Sequence, residues 1–208
     1  MPSIKEMPYN EKYAIMLDNI NDTFTPSFVQ KYLDNQAVLE LQRIWEEGIK
    51  PIPEDTSFEE KYEIAYGNWI WMAKNSYTFI REKLGEDGIE KFKRAEADAL
   101  KRKNASPALL LLKLIRAISP STAFKMIANK FSYQLQWITP FSLSEMTQNR
   151  VVYDIPRCKI LDYPDNEDLC IIGCQCSFPM WVAEQFRVKM AFDRQGNSCI
   201  ATLTPLDK

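Results

Sequence analysis

The sequence predicts an α+β fold, with a helical N-terminal two-thirds packed on C-terminal antiparallel hairpins that flank a cysteine-bearing helix. Up to about residue 138 the apolar residues recur at three- and four-residue steps, which is the helical period. After that point, short β-branched or alternating runs are separated by turn residues. We expect one domain over 1–208, mainly helical over 1–138, because no flexible polar stretch separates it from the hairpins and helix of 139–208.

The first predicted helix begins near Thr25, followed by a proline that the first helical position tolerates. Its apolar stripe is interrupted near Asn35 and ends at Gly48. A second helix begins after Ser57, which forms a capping box with the glutamate three residues later. This long helix is predicted to stop at Gly85, and a further helix covers about 87–103.

Residues 108–118 are apolar on nearly every side, so we predict a buried helix that is also a candidate oligomer interface. Another helix follows from Ser119 or Ser121. Strands are predicted at Val151–Ile155, 188–192 and 199–203, and 141–144 alternates. The last two strands form a hairpin with Gly196 in its loop. A helix over 167–186 holds most of the cysteines and is kinked or restarted by its proline at 179.

Composition limits the function. The formal net charge is −2, so the basic excess of a nucleic-acid binder is missing. No secretory signal or membrane-spanning run is found, so we expect a cytoplasmic protein with reduced cysteines and no membrane partner. The helix of 87–103 carries mixed charges that we interpret as a solvated face: Lys91, Lys93, Arg94, Lys101, Arg102 and Lys103 with Glu90, Glu96 and Asp98.

Histidine is absent from the sequence. Neither a Ser-His-Asp triad nor a Cys-His pair can therefore form within one chain. Zinc sites that need imidazole and histidine-ligated haem are excluded as well. Proton transfer has to use a carboxylate, a thiol, a lysine, a tyrosine or water.

All five cysteines lie in the last quarter of the chain, at positions 158, 170, 174, 176 and 199. Cys170 and Cys174 are four residues apart and share one face of a helix. Three interpretations stay open: small buried hydrophobes, which fits Cys170 best; a metal-thiolate site; and a reactive or proton-shuttling thiol. The spacing contains no C-x2-C knuckle, and our prediction is no metal and no cofactor.

Three segments carry a family resemblance: Ile155-Pro156-Arg157-Cys158, Gly173-Cys174-Gln175-Cys176-Ser177 and Gly196-Asn197-Ser198-Cys199. Their order and spacing resemble the L-2-amino-thiazoline-4-carboxylic acid hydrolase family, over about a quarter of the chain. The family pattern has a cysteine after a strand, a C-x-x-D element on a helix and a Gly-Asp loop before a last cysteine. Here Ser177 and Asn197 occupy the positions of the two aspartates.

The resemblance implies a hydrolase or related tailoring enzyme that adds water at the C=N carbon of a thiazoline or another biosynthesis intermediate. It implies Cys174 as nucleophile or proton shuttle, with Cys158 and Cys199 lining the same pocket. Arg157 or Arg194 would hold a substrate carboxylate. Asp154 is the nearest replacement for the general base. Each of these residues also has a structural interpretation, as a packed thiol or a solvated surface side chain.

Aromatic residues suggest a pocket as well. Trp69 and Trp71 cannot both face the core of one helix, and we assign Trp69 to the core and Trp71 to a pocket or a partner surface. Trp181 is a further candidate for contact with substrate. The same outline of helices and hairpins resembles vinyl-reductase-type domains that bind small hydrophobic ligands. The hypotheses are therefore a cysteine-lined small-molecule enzyme, a non-catalytic ligand-binding domain and a metal-thiolate protein.

Overall fold

A computed structural model describes residues 4–206, and the predicted α+β fold is confirmed. The helices are α1 (Tyr9–Asn21), α2 (Thr25–Tyr32), α3 (Asn35–Gly48), α4 (Phe58–Lys103), α5 (Pro107–Ile118), α6 (Pro120–Gln134) and α7 (Phe178–Phe186). Short 3-10 turns occupy Leu135–Trp137 and Lys159–Asp162, and a π-helix covers Leu169–Ser177. The strands are β1 (Ser142–Met146), β2 (Val151–Ile155), β3 (Val188–Gln195) and β4 (Ser198–Pro205). Helix α1 and both 3-10 turns were not anticipated from the sequence.

Side-chain caps set two of the helix starts. The Asp34 carboxylate accepts a hydrogen bond from the Ala37 amide at 2.8 Å, so the interrupted first stripe becomes two helices, α2 and α3. The Ser57 hydroxyl accepts from the Glu60 amide at 3.2 Å, which agrees with the predicted capping box and starts α4 at the next residue. Both caps satisfy amides that the first helical turn leaves without backbone partners.

Helix α4 is bent at Gly85, which has φ 66° and ψ −167°. Only glycine enters this backbone region without a steric penalty from Cβ. The chain therefore turns where a stop was predicted, and it resumes helical structure at once instead of forming a loop. The bend allows the two parts of α4 to face the C-terminal elements from one continuous segment.

The two predicted hairpins join in one antiparallel sheet with the strand order β1-β2-β4-β3. Strand β2 pairs with β4 so that Tyr153 lies opposite Ala201 and Ile155 lies opposite Cys199. These four residues are nearly buried, whereas Asp154 between them is exposed, as the alternation of side chains along a strand requires. One face of the sheet therefore packs toward the helices.

Helix α5 contradicts the prediction of a buried helix, because none of its twelve residues is buried. Leu109 and Leu112 pack partly against the core, and the remaining leucines face outward. A helix that is apolar all round usually lies inside a protein, and here α5 packs mainly against α6.

The hydrophobic core contains residues from Met16 in α1 to Leu203 in β4, drawn from both the helices and the sheet. Aromatic edge-to-face contacts connect the layers, for example Phe131 of α6 with Phe186 of α7 at 5.3 Å between ring centroids. Within residues 4–206, none of the helices combines the length and the apolar character that crossing a bilayer requires.

Candidate active-site cavity

A cavity of about 700 Å³ lies between the long helix α4 and the C-terminal elements. Its wall on one side comes from α4, and we call this the α4 wall. The opposite wall comes from the sheet, the loop after β2 and the π-helix, and we call it the thiol wall. Its lining includes four of the five cysteines, namely Cys158, Cys170, Cys174 and Cys199.

Two thiols of the π-helix face the cavity together. Cys170, Gly173, Cys174 and Ser177 all line the cavity, at steps of three and four residues. The Ser177 hydroxyl donates to the carbonyl of Ile172, five residues earlier, at 3.1 Å. The start of the π-helix is fixed to α4 because the Arg81 guanidinium donates two hydrogen bonds to Asp168. π-helical turns are uncommon and occur frequently at functional sites.

Cys158 and Cys199 reach the cavity from other elements. Cys158 follows β2, and its amide donates to the carbonyl of Asn197 at 2.7 Å, which holds the loop against the β3–β4 turn. Cys199 lies in β4 opposite Ile155. The three thiols that the resemblance singled out, Cys158, Cys174 and Cys199, thus come from three separate elements and line one cavity.

Burial keeps these thiols protonated. Removal from water raises the pKa of Cys174 well above its ordinary value, and the other cysteines of the cavity raise it further. Burial likewise raises the pKa of Cys158, and it raises that of Cys199 to about 11. All five cysteines are free, and Cys176 lies outside the cavity. The arrangement therefore favours neutral thiols, which are weak donors and poor nucleophiles.

Sequence analysis missed Glu96, a carboxyl group in the middle of the α4 wall. Its interpretation as part of a solvated helix face is wrong, since the residue lies deep in the molecule and lines the cavity. Glu96 keeps a small accessible fraction of its surface and is part of the lining of this internal space. A signal was present, because Glu96 follows the buried residues Ile89 and Phe92 at helical spacing and continues their apolar stripe.

The surroundings of Glu96 are polar on one side only. The Tyr77 hydroxyl donates to its Oε1 at 3.4 Å, whereas Oε2 is buried and has no hydrogen-bond partner. Burial raises the pKa of Glu96, and the nearby hydroxyls of Ser177 and Tyr77 offset part of that rise. Helix α4 therefore places a carboxyl group beside Ser177 of the π-helix.

Aromatic rings form part of the remaining lining, together with polar residues of α1 and of the segment between α1 and α2. Trp181 is 5% exposed, lines the cavity, and donates from its indole nitrogen to Gln185. Trp69 also lines the cavity and meets Trp137 edge to face at 5.4 Å. Trp71 does not line it: its ring covers Gly48 of α3 and its indole donates to the carbonyl of Ile44 at 3.2 Å. Trp69 thus packs against the core, as predicted, and also lines the cavity, whereas the residues that line the cavity do not include Trp71.

The other predicted site residues separate into two groups. Arg194 lines the cavity, although its guanidinium is held by Glu167 at 3.1 Å and by the carbonyl of Gly196 at 2.9 Å. Arg157 is exposed and pairs with Asp162 at 2.7 Å. Asp154 is exposed on the sheet face that points away from the cavity. Neither Arg157 nor Asp154 is brought to the thiols.

The cavity opens to the surface beside the end of α4. Exposed Arg102 and Lys103 line it there, and Lys103 forms an ion pair with Asp18 of α1 at 2.7 Å. Over residues 4–206, no group of three or more cysteine, aspartate or glutamate side chains is arranged to hold a metal ion. The geometry therefore gives no support to a metal-thiolate site.

No family model, no curated protein and no solved structure matches this chain.

Proposed function

We propose that the protein binds a small molecule in the cavity and acts on it as a hydrolase-like or related tailoring enzyme. The reacting group would be a C=N bond, as in a cyclic amidine or thiazoline. One observation carries the proposal: neutral thiols from three elements and the buried, half-partnered carboxyl group of Glu96 line the same internal space. The free cysteines suit the reducing cytoplasm, where we place this activity.

Size and lining support a small-molecule ligand. A volume of about 700 Å³ falls in the range of ligand pockets, which are mostly apolar with a few convergent polar groups. The aromatic rings of Trp69, Trp137 and Trp181 supply the apolar surface. Glu96, Tyr77 and Ser177 supply polar groups on neighbouring elements, and the cavity meets solvent beside Arg102 and Lys103.

Proton transfer falls to Glu96. Addition of water across C=N forms a C–O bond, delivers one proton to nitrogen and removes one proton from the water. Collapse of this adduct forms C=O, breaks the ring C–S bond and transfers the hydroxyl proton to the leaving sulfur, which opens the ring. A carboxyl group whose pKa is raised by burial keeps its proton to a higher pH than an exposed one; it can give that proton to nitrogen, and the carboxylate it becomes can take the proton of the added water. One residue thus closes the proton balance of the addition.

The thiols act in a different way. Because burial raises their pKa values, Cys158, Cys174 and Cys199 are protonated at neutral pH and contribute shape, polarisable contact and weak S–H donation. In this proposal Cys174 is a candidate proton shuttle beside Glu96, not an attacking thiolate. Arg194, already held by Glu167, limits one side of the cavity.

The test uses 2-amino-thiazoline-4-carboxylic acid as substrate and follows its ring-opened product by chromatography. We expect turnover by the unmodified protein and a loss of at least about a hundredfold in Glu96→Gln, which cannot exchange the proton. Glu90→Gln is the matched control, because Glu90 lies on the same helix, is exposed and pairs with Lys93. An undiminished rate in Glu96→Gln would remove Glu96 from the chemistry.

The raised thiol pKa values favour a second candidate function, non-catalytic binding of an apolar ligand. Its test uses the neutral probe N-phenyl-1-naphthylamine and measures energy transfer from tryptophan. We expect the transfer to fall in Trp69→Phe, which lines the cavity, and to persist in Trp71→Phe, which covers Gly48. Probe binding without any turnover of the thiazoline would favour this function over the enzyme.

A further inference from the structure

The outer face of α5 is apolar and uncovered. Leu110, Leu111, Leu114 and Ile118 are 65%, 57%, 64% and 87% exposed, and we call these four residues the α5 patch. They fall on one side of the helix, since Leu111, Leu114 and Ile118 follow the i, i+3, i+7 spacing. Single exposed leucines are ordinary, whereas four on one helix face are typical of a surface that meets another apolar phase.

Charge distinguishes the surroundings of this patch from the rest of the chain. From residue 99 to residue 144 the sequence contains no aspartate or glutamate, although the whole chain has net charge −2. The basic residues of this stretch are Lys101, Arg102, Lys103, Lys113, Arg116, Lys125 and Lys130. Some have internal partners: Lys101 pairs with Glu184, Lys103 pairs with Asp18, and Arg116 donates to the carbonyl of Phe186.

Four of the basic side chains are left for an external partner. Arg102, Lys113, Lys125 and Lys130 are exposed and form no ion pair with any residue of 4–206. Lys113 flanks the α5 patch on its own helix, and Lys125 and Lys130 lie on α6, the helix packed against α5. An apolar helix face with basic flanks is the pattern of helices that lie in a membrane interface.

We infer that the α5–α6 hairpin docks on the surface of an anionic lipid bilayer, with the α5 patch at the acyl boundary and the lysines at the headgroups. The association is peripheral, and it departs from the expectation of no membrane partner. Charge favours this occupant over a second copy of the chain. A second copy of the chain would bring the same unpaired basic side chains to the contact, whereas anionic headgroups neutralise them.

Helix α5 lies close in sequence to the opening of the cavity. Arg102 and Lys103, which line the opening of the cavity, stand only a few residues before the start of α5. A docked α5 therefore holds the opening near the bilayer, where molecules that partition into lipid are concentrated. The inference itself does not depend on the proposed function, since it uses only the exposed face and the charge distribution.

Sedimentation of the full chain with vesicles tests this docking. We expect binding to mixed phosphatidylcholine–phosphatidylglycerol vesicles, weaker binding to pure phosphatidylcholine, and a decrease with added salt. The double variant Leu111→Ser/Leu114→Ser should lose at least about tenfold in the partition coefficient, because two exposed apolar anchors are removed. Lys113→Glu/Lys125→Glu should lose at least about tenfold on the anionic vesicles alone.

Matched controls come from α3, outside the hairpin: Leu39→Ser, where the leucine is 50% exposed, and Arg43→Glu. Both should bind like the unmodified protein, and circular dichroism confirms that each variant is folded. Failure of the unmodified protein to bind anionic vesicles would overturn the inference. So would a dimer in light scattering that Leu111→Ser/Leu114→Ser converts to a monomer, since a second copy would then cover the patch.

Discussion

The two walls of the cavity differ in how readily they can be recognised from the sequence. The thiol wall comes from short motifs in the last quarter of the chain, and its residues are recognisable by type and spacing. The α4 wall comes from a 46-residue helix, Phe58–Lys103, whose cavity-facing residues Trp69, Tyr77 and Glu96 form no motif. The wall with the recognisable pattern holds neutral thiols, and the wall without one supplies the carboxyl group.

The contrast follows from what local sequence can encode. A cysteine cluster is rare enough to be noticed wherever it folds, whereas one glutamate among charged neighbours is noticed only through its position on a helix face. Ser177 and Tyr77 lie beside Glu96, and that proximity joins segments far apart in the chain. The chemical environment of the cavity thus depends on contacts between the α4 wall and the thiol wall. Substitutions in either wall can change it.

The largest expected effect is on the α4 wall, in Phe92→Ala. Phe92 is 1% exposed and meets Phe24, Phe28 and Tyr77 at 4.9 to 5.6 Å between ring centroids. Removing the ring should cost about 3–5 kcal/mol of unfolding free energy, because the neighbours cannot close the space. Urea denaturation measures it, with Cys170→Ala on the thiol wall as comparison at about 1 kcal/mol. Equal losses of unfolding free energy in the two variants would mean that Phe92 on the α4 wall contributes no more to stability than Cys170 on the thiol wall.

The next effect concerns reactivity on the thiol wall. With its pKa raised to about 11, against about 8.5 for an unperturbed thiol, Cys199 has roughly a few-hundredfold less thiolate near pH 8. Iodoacetamide should therefore alkylate it correspondingly more slowly than free cysteine, as peptide mass mapping over time would show. Cys174 should behave in the same way. Faster labelling of Cys174 than of free cysteine would mean a stabilised thiolate, and would restore the nucleophile hypothesis.

A pH dependence of stability tests the carboxyl group of the α4 wall. In the unfolded chain Glu96 releases its proton near its ordinary pKa, while burial raises the pKa in the folded protein. Between these two values the folded state holds a proton that the unfolded state has lost, so the unfolding free energy falls as pH rises. Glu96→Gln should remove this fall in denaturation series below pH 8, and exposed Glu90→Gln should keep it. A wild-type curve identical to that of Glu96→Gln would contradict the raised pKa.

The sequence predicted the fold class, the strand at Val151–Ile155 and the turn at Gly196, because β-branched content and glycine conformations are local properties. It also predicted that the proline at 179 restarts a helix, and α7 begins one residue before it. The prediction that α5 is buried was wrong, since the sequence of an apolar helix does not indicate whether another element covers it. The prediction that Asp154 lies at the site was wrong, because neighbouring residues of a strand point to opposite faces of the sheet and Asp154 lies on the exposed face.

Grouping of the thiols was predictable only in part. Four-residue spacing placed Cys170 and Cys174 together, and the π-helix kept that relation. No sequence rule indicated that the segment would take the wider π form, which depends on how it packs against α4. Tyr77 approaches it closely at Gly173, where an added Cβ would stand 3.5 Å from the tyrosine oxygen.

This close approach gives the smallest predicted effect, in Gly173→Ala, which measures the gap between the two walls. The new methyl group would stand 3.5 Å from Tyr77 Oη and 3.6 Å from Leu169 Cδ1, both ordinary contact distances. Replacing a helical glycine also reduces the entropy of the unfolded chain, so we expect stabilisation by about 0.4–1 kcal/mol in urea denaturation.

Gly88→Ala is the matched control on α4, because its Cβ would stand 2.3 Å from Leu84 Cβ and force a shift of the helix. It should therefore destabilise the protein, and the opposite signs of the two changes separate contact at the cavity from the general effect of replacing glycine. If Gly173→Ala were also destabilising, the walls would be in tighter contact at Tyr77 than these distances allow. The carboxyl group of Glu96, bonded to that tyrosine, would then be held more rigidly than proton exchange with a ligand requires.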